Sequence, residues 1–319
     1  MATNTLMNDV TSHISGHEDP EHLLDGYLLL ATDGSAGSDG AVALVAALRR
    51  QGPRRLDILS VFEPAPMPVP SLDPSLAAMT TMSGDSSMRA DFYARVDRQL
   101  ARAFDGLPAL ELRRAEGSPV RIIAEEAQST NADLIITGLR VHSLLDRLVG
   151  DETALRVTRA TDRPVFAVSP TLTQPPHRGV VGIDFSRASL RAAHAAAGIV
   201  TKGGTLTLLH ARPSLDVAAT AEDGIELPYA RGVTAALEGL RNTVAAAHPH
   251  ITVDVERRDG EPAVSVLNYA LASHADFVAV GRHRRNAIAH AVLGSVATTL
   301  LRKALLSVLV LPPSPDDKT

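Results

Sequence analysis

The side chains best suited to chemistry occur in two similar groups, each directly after a short apolar segment. Asp33 and Ser35 follow the apolar segment 27–32. Asp184 and Ser186 have the same relation to a second apolar segment farther along the chain. A carboxylate beside a hydroxyl can hydrogen bond a ligand, but neither serine lies in the G-x-S-x-G turn of a hydrolase nucleophile. We therefore interpret the two serines as helix N-caps, whose oxygens accept hydrogen bonds from backbone N–H groups.

Other groups that carry out chemistry are scarce in this sequence. The chain of 319 residues contains no Cys, and therefore no thiolate for catalysis, metal binding or a disulfide. It has no G-x4-G-K-(S/T) sequence, which excludes a P-loop. It also has no pair of carboxylates placed for acid–base or metal chemistry. We therefore expect no catalytic residue and no metal site.

Charge and composition narrow the class of protein further. The sequence has 31 Lys and Arg against 36 Asp and Glu, a net charge of −5. This balance argues against a general nucleic-acid binder, which usually has a surplus of basic residues. No apolar run reaches the roughly 18 residues of a membrane span, and the N-terminal sequence lacks the pattern of a secretory signal. We predict a cytoplasmic protein that binds neither nucleic acid nor a membrane.

The chain contains one pattern twice. Besides the two aspartate–serine groups, the segment 116–138 resembles the segment 259–281. The matched positions are Gly117 and Gly260, Pro119 and Pro262, Asp133 and Asp276, and Gly138 and Gly281. Each copy has about 145 residues, which is the size of a domain. The sequence is therefore a tandem duplication of one domain.

The two copies set the predicted domain boundaries. We expect a first domain over 26–170 and a second over 179–313, with a linker over 171–178 between them and flexible tails over 1–25 and 314–319. Within the first domain, the segment 63–90 is rich in Pro, Met and Ser. This composition favours a long mobile loop.

Apolar runs alternate with Ala- and Leu-rich stretches in both copies. The runs predict strands at 27–32, 56–62, 109–114, 133–137 and 164–168, and again at 179–184, 204–210, 251–257, 276–280 and 306–311. The stretches predict helices at 38–50, 88–105, 119–130 and 151–160, and again at 187–200, 228–247, 261–273 and 294–303. This alternation predicts an α/β fold with two doubly wound parallel five-stranded sheets. Ligands of such sheets bind at the carboxyl ends of the strands, where the two aspartates are expected.

Four features in this order make the sequence resemble the universal stress protein family, in its tandem two-domain form. They are a strand ending in Asp-Gly-Ser or Asp-Phe-Ser, a Gly-x-Pro before a helix, an Ala-Asp strand ending in Gly, and a Gly-Ser, Gly294 and Ser295, at the last helix. The resemblance covers about 27–170 and 178–313. It implies a Rossmann-like fold of the adenine nucleotide α-hydrolase-like group and a role in stress-response regulation.

Nucleotide-binding members of that family carry G-x2-G-x9-G-(S/T) after the fourth strand. Glycine lets the backbone approach phosphate oxygens, and N–H groups at a helix start face the anion. The second copy keeps this spacing from Gly281 to Gly294 and Ser295, with Arg284 in place of the second glycine. Arg284 either blocks the phosphates or neutralises them together with Arg282, because guanidinium pairs well with phosphate. Both readings stay open at this point.

The resemblance implies a site for ATP or a related adenine nucleotide in the second domain. By analogy with the family, the aspartate after the first strand lies by the adenosine. The implied site residues are Ile183, Asp184, His210, Gly281, Arg282, Arg284, Gly294, Ser295 and Val296. The resemblance implies no dedicated enzyme activity, and at most a slow hydrolysis of ATP.

The first copy departs further from the family pattern. It reads Gly138-Leu-Arg140-Val141, and nine residues later Asp151-Glu152 stands where the second copy has Gly-Ser. With a gap of one residue, Gly150-Asp151 would stand there instead, and either register brings in a carboxylate. Carboxylates at a helix start stabilise the helix but repel a triphosphate. We therefore expect the first domain to be a degenerate copy, in which the doubtful site residues are Asp33, Gly138 and Arg140.

Two functions are consistent with the sequence. One is a stress-response regulator that responds to a nucleotide, and the other is an interaction scaffold that has lost the nucleotide site. In both cases we expect the last strands, 164–168 and 306–311, to pack together as a pseudo-dimer, because uncovered apolar edge strands tend to aggregate. A homodimer and an unidentified protein partner also stay open.

Overall fold

The structure is a computed structural model that describes residues 23–64, 74–108, 110–139, 153–212, 226–282, 294–303 and 305–313. The side chains of 74–85 and 226–230 lie outside this description. Contacts divide the chain into two compact units. The first domain is Asp25–Gln174, and the second contains Pro175–Thr319 together with the described N-terminal residues Leu23 and Leu24.

The first domain is a parallel sheet with helices. Its strands are β1 (Leu28–Ala31), β2 (Leu56–Phe62), β3 (Leu112–Glu116), β4 (Leu134–Gly138) and β5 (Val165–Val168). Its helices are α1 (Asp39–Gln51), α2 (Pro74–Ala103), α3 (Pro119–Ser129) and α4 (Thr153–Ala160), and a 3-10 turn, Ala36–Ser38, precedes α1. The strands lie in the order β3-β2-β1-β4-β5, and each neighbouring pair is parallel.

The second domain repeats this arrangement. Its strands are β6 (Arg178–Gly182), β7 (Thr205–Arg212), β8 (Thr252–Asp259), β9 (Phe277–Gly281) and β10 (Ser307–Leu311). Its helices are α5 (Arg187–Ile199), α6 (Glu226–Ala247), α7 (Pro262–Ala272) and α8 (Ser295–Lys303). The order is β8-β7-β6-β9-β10, again with parallel neighbours. The predicted α/β fold with two doubly wound parallel sheets is confirmed.

The strands are apolar over nearly their whole length because helices cover both faces of a doubly wound sheet. All four residues of β1 are buried, and so are the first four of β4. On one face, Leu29, Leu59 and Ile135 form a cluster with Ile123 and Ala127 of α3. This packing fixes the ends of the strands, from which the polar loops of the candidate site begin.

The Ala-Asp pair before the fourth strand of each domain has a structural role. The carboxylate of Asp133 accepts a hydrogen bond of 2.7 Å from the backbone N–H of Tyr27, just before β1. In the second domain, Asp276 accepts bonds of 2.7 and 2.8 Å from the N–H groups of His177 and Arg178, at the start of β6. In each domain, the aspartate therefore links the amino end of the fourth strand to the amino end of the first strand.

The Gly-x-Pro motif turns the chain from a strand into a helix. Gly117 has a φ of 131° and Gly260 a φ of 128°, a backbone conformation that side chains rarely adopt. Pro119 and Pro262 then begin α3 and α7, where the fixed φ of proline suits the first helical position. The motif is thus explained by the fold alone.

The predicted loop over 63–90 is wrong from Pro74 onward. Residues Pro74–Ala103 form one helix of 30 residues, much longer than the helix predicted at 88–105. The prediction gave weight to Pro and Ser, but Pro is favourable at a helix start and the Ala, Leu and Met residues that follow are strong helix formers. Residues 65–73 lie outside the described part of the chain, and the predicted mobility stays a prediction.

Two further boundaries differ from the sequence prediction. Leu23 and Leu24, predicted within a flexible tail, are only 5% and 6% exposed. Strand β3, predicted at 109–114, begins at Leu112 and extends to Glu116, because its pairing with β2 continues to the carboxyl end of that strand. Residues 1–22 and 314–319 of the predicted tails lie outside the described ranges.

None of the described helices is both long and apolar enough to cross a membrane.

Candidate functional site

In each domain the chain builds the sheet outward from its first strand, in two directions. Strand β6 has β7 on one side and β9 on the other, as β1 has β2 and β4. Ligand sites of such sheets lie at the carboxyl ends of the strands on the two sides of this switch point. In the second domain, Ile183 and Asp184 follow β6, while Gly281 and Arg282 lie at the end of β9. The structure therefore places these four predicted residues at the ends of adjacent strands.

The carboxylate of Asp184 is held by the residue two positions on. Its Oδ1 accepts hydrogen bonds from the backbone N–H of Ser186, at 3.0 Å, and from the Ser186 hydroxyl, at 2.6 Å. Ser186 Oγ in turn accepts a bond of 3.2 Å from the N–H of Ser189, in the first turn of α5. The prediction that Ser186 caps this helix is confirmed.

Asp33 has the corresponding bonds in the first domain. Its Oδ1 accepts from the N–H of Ser35 at 2.9 Å, from the Ser35 hydroxyl at 2.6 Å and from the Ser38 hydroxyl at 3.1 Å. The Ser35 side chain makes no capping bond, however, so that prediction is wrong. The 3-10 turn over Ala36–Ser38 delays α1 until Asp39, which leaves Ser35 before a turn rather than before an α-helix.

Gln99 of α2 fixes the loop after β1, and the sequence analysis missed it. The side chain is 3% exposed. Its Nε2 donates to the carbonyl oxygen of Ser35 at 3.0 Å and to the Asp39 carboxylate at 2.6 Å. Its Oε1 accepts from the Thr32 hydroxyl at 2.6 Å. A helical spacing from Tyr93 and Val96, both buried, would have placed Gln99 on the inner face of α2.

His210, at the end of β7, is incompletely hydrogen bonded. Its Nδ1 lies 2.8 Å from the carbonyl oxygen of Ile183, a bond in which the ring nitrogen donates. Its Nε2 is buried and has no hydrogen-bond partner in the described protein. The ring also packs against Phe185, with centroids 5.0 Å apart at 40°. Three predicted site residues, Ile183, Asp184 and His210, thus share one corner of the second domain.

A basic pocket of about 220 Å³ opens beside His210. The other described residues that line it are Arg212, Val233, Arg257, Arg258 and Asp259. Arg212 pairs with Asp259 at 3.1 Å, and Arg257 donates to Thr234 at 2.9 Å. The sequence analysis did not identify these arginines, although the Arg-Arg-Asp sequence at the end of a predicted strand could have indicated them.

The glycines that end β4 and β9 are required by packing. A Cβ on Gly138 would lie 2.4 Å from the carbonyl oxygen of Gly37, and one on Gly281 would lie 2.3 Å from the carbonyl carbon of Ala188. In both domains the fourth strand therefore touches the backbone of the segment that follows the first strand. Their place in the sequence motif does not by itself indicate a ligand.

The end of the motif is more open. A Cβ on Gly294 would meet no atom within 4 Å. The exposed Ser295 and the half-buried Val296 begin α8, and the carbonyl oxygen of Gly294 accepts a bond of 3.0 Å from Thr298. The N terminus of this helix is thus built from the residues that the family resemblance indicated.

The predicted arginines differ in their placement. Arg282 is 7% exposed, and its backbone N–H donates to Leu311 at 2.8 Å. The chain therefore passes beside β10 at Arg282. Arg140 and Arg284 lie outside the described residues, as do Val141, Asp151 and Glu152.

A larger cavity, of about 580 Å³, lies at the carboxyl ends of the first domain's strands. Asp33 and Gly138, which the sequence analysis considered doubtful site residues, both line it. The rest of the described lining comes from β1 and the turn after it, from β2, α2 and α3, and from the ends of β4 and α4. A space of this size is within the range of small-molecule sites, roughly 300–1,000 Å³.

Fold and site together define a doubly wound α/β protein made of two repeated domains, each with a carboxylate fixed after its first strand. The sequence profile of the universal stress protein family matches residues 27–169 and 177–312. The chain therefore belongs to the universal stress protein family, in its tandem form.

Solved structures show the same fold. A universal stress protein from Archaeoglobus fulgidus covers 93% of this chain and 99% of its own length, at 20% identity and a TM-score of 0.61. A functionally unknown protein from Pseudomonas aeruginosa covers 91% of this chain and 94% of its own, at 16% identity and a TM-score of 0.58. A search of curated proteins gives no match.

Proposed function

We propose that this protein is a stress-response regulator that binds ATP or a related adenine nucleotide in its second domain. The proposal rests on the family and on one observation in the described structure, the unsatisfied Nε2 of His210. A buried acceptor without a partner costs about 1–3 kcal/mol, so a ligand that donates to it is favoured. An exocyclic amine such as that of adenine is a donor of this kind.

The neighbouring groups suit the rest of a nucleotide. Asp184 is an acceptor fixed in position by Ser186, as a ribose hydroxyl requires. Arg212 and Arg257 line the pocket beside His210 and contribute positive charge at this end of the sheet. The N terminus of α8 favours an anion through its helix dipole. No residue in this arrangement is assigned a catalytic role, and the proposal is binding without dedicated turnover.

The proposal places the nucleotide in the second domain because the charges differ between the two domains. Arginines predominate in the second domain's pocket, whereas carboxylates predominate in the first domain's cavity, which Asp33, Glu63 and Asp91 line together with Arg95. A triphosphate is repelled by such carboxylates. This agrees with the expectation that the first domain has lost the family's ligand.

The alternative, an interaction scaffold without a nucleotide, is favoured by Arg282. This residue is only 7% exposed and interacts with other groups of the protein, so it is less available to a phosphate than an exposed arginine. With Arg284 in place of a motif glycine, the site then has fewer groups left for phosphate than the family resemblance implies.

The two strand-end aspartates provide a matched test. Asp184→Ala removes the acceptor for the ribose and should weaken ATP binding by about 1.5–3 kcal/mol, or roughly 10- to 100-fold. Asp33→Ala removes the same kind of local bonds in the other domain and should leave the affinity unchanged. Calorimetric titration of the full chain measures both, and thermal unfolding shows that each variant is folded. A larger loss in Asp33→Ala than in Asp184→Ala would contradict the placement.

A further inference from the structure

The cavity in the first domain has an apolar floor and an aromatic wall. Leu59, Val61 and Ile123 line it and are 1%, 8% and 4% exposed. Phe62 and Phe92 line it as well, with ring centroids 5.6 Å apart at 60°. Surfaces of this kind favour the rings of a ligand, because aromatic pairs gain from tilted packing in addition to burial.

The cavity also has a hydroxyl group in its lining. Thr137, near the end of β4, is 5% exposed and lines the cavity. No hydrogen bond of its hydroxyl joins it to any described residue. Since the residue lines the cavity, this hydroxyl can take its hydrogen-bond partner from a ligand bound there.

The second domain has no such hydroxyl at the equivalent position. The glycines that end β4 and β9 correspond, and the residue before each is Thr137 in the first domain and Val280 in the second. Val280 is 4% exposed, so an apolar side chain of nearly the same shape is accommodated there. The fold therefore does not require a hydroxyl at this position.

The charges around the cavity disfavour an anion. Glu63 and Asp91 are exposed carboxylates that form no ion pair with any described residue. Arg95 is the cation among the described lining residues, and its guanidinium lies over the Phe92 ring, 5.4 Å from the centroid. With Asp33 included, carboxylates exceed cations in this lining, so a neutral or positively charged ligand is favoured.

We propose that the first domain binds a small aromatic compound that is neutral or cationic and hydrogen bonds Thr137. The rings lie on the apolar floor against Phe62 and Phe92. A polar group on the ring reaches the Thr137 hydroxyl, and a cationic tail faces Glu63 and Asp91. This site goes beyond the proposed nucleotide function and does not depend on it.

Two probes that differ in the sign of one charge test this proposal. Tyramine is a phenol with an ammonium tail, and hydroxyphenylpropionate is the same phenol with a carboxylate tail. Calorimetric titration of the full chain should show one tyramine site and at least about tenfold weaker binding of the anion. The double variant Glu63→Gln with Asp91→Asn should remove most of this preference.

Variants of Thr137 test the hydrogen bond. Thr137→Val, which introduces the residue of the second domain, should weaken tyramine binding about five- to tenfold, whereas Thr137→Ser should retain it. Thermal unfolding shows that both variants are folded. No tyramine binding, equal binding of both probes, or unchanged affinity in Thr137→Val would each overturn the proposal. The two proposals can fail separately. If ATP does not bind, only the nucleotide function is contradicted, and Asp184→Ala should leave tyramine binding unchanged.

Discussion

The side chain of Tyr27, just before β1, should make the stability of the first domain depend on pH. Burial, and then the hydrogen bond from its hydroxyl to Asp57, raise the pKa of Tyr27 from 10.0 to about 12. The folded protein therefore holds this proton more tightly than the unfolded chain. Its contribution is complete below pH 10 and is lost as the pH rises towards 12.

The prediction is that Tyr27→Phe reduces the fall in unfolding free energy over this alkaline range. The sequence has four Tyr and no Trp, so ultraviolet absorbance can follow the ionisation of the tyrosines directly. Burial also raises the pKa of Tyr93, so the wild type should show one more late-ionising tyrosine than Tyr27→Phe. If the component that Tyr27→Phe removes ionises near pH 10 instead, Tyr27 ionises normally.

Individual side chains were predictable where a local sequence rule governs them. Ser186 follows the pattern of a helix cap, and it caps α5. Ser35 has the same pattern but does not cap, because an additional 3-10 turn follows it. The position of Thr137 in the cavity lining, and the lack of a partner for Nε2 of His210 among the described residues, depend on which atoms surround them in three dimensions, and no spacing in the sequence records that.

At the scale of elements, the two motif glycines of the second domain differ in their surroundings. Gly281 is required by packing, whereas Gly294 is not. Gly281→Ala would force a Cβ against the backbone of Ala188 and should lower the unfolding free energy by about 1–3 kcal/mol. Gly294→Ala enters open space and should change it by no more than about 0.5 kcal/mol. Denaturant unfolding of the two variants makes this comparison. Equal destabilisation would show that the close approach of β9 to α5 does not explain Gly281.

Most elements were predictable because their apolar runs are short and separated by helical patterns. Strand β2 matches its predicted range of 56–62, and α5, predicted at 187–200, ends at Ile199. Helix α2 was only partly predicted, since the composition of its first half is typical of a loop. The contacts of Gln99 and the basic pocket at the end of β8 were not predicted, because they join segments that are far apart in the sequence.

At the scale of the whole molecule, the duplication has produced two domains of one fold whose candidate sites differ. The differences lie in single positions, such as Thr137 against Val280, and in the charges around each pocket. The two proposals together give the domains different ligands: an adenine nucleotide binds in the second domain, and a neutral or cationic aromatic compound binds in the first. The pairing of the two last strands, 164–168 and 306–311, stays a prediction.

The number of ATP molecules bound per chain tests this account most directly. The wild-type full chain, titrated with ATP by calorimetry, should bind one molecule, and Asp184→Ala should weaken that binding strongly while Asp33→Ala does not. Binding at two equivalent sites would contradict the asymmetry between the domains, and no binding at all would contradict the nucleotide function.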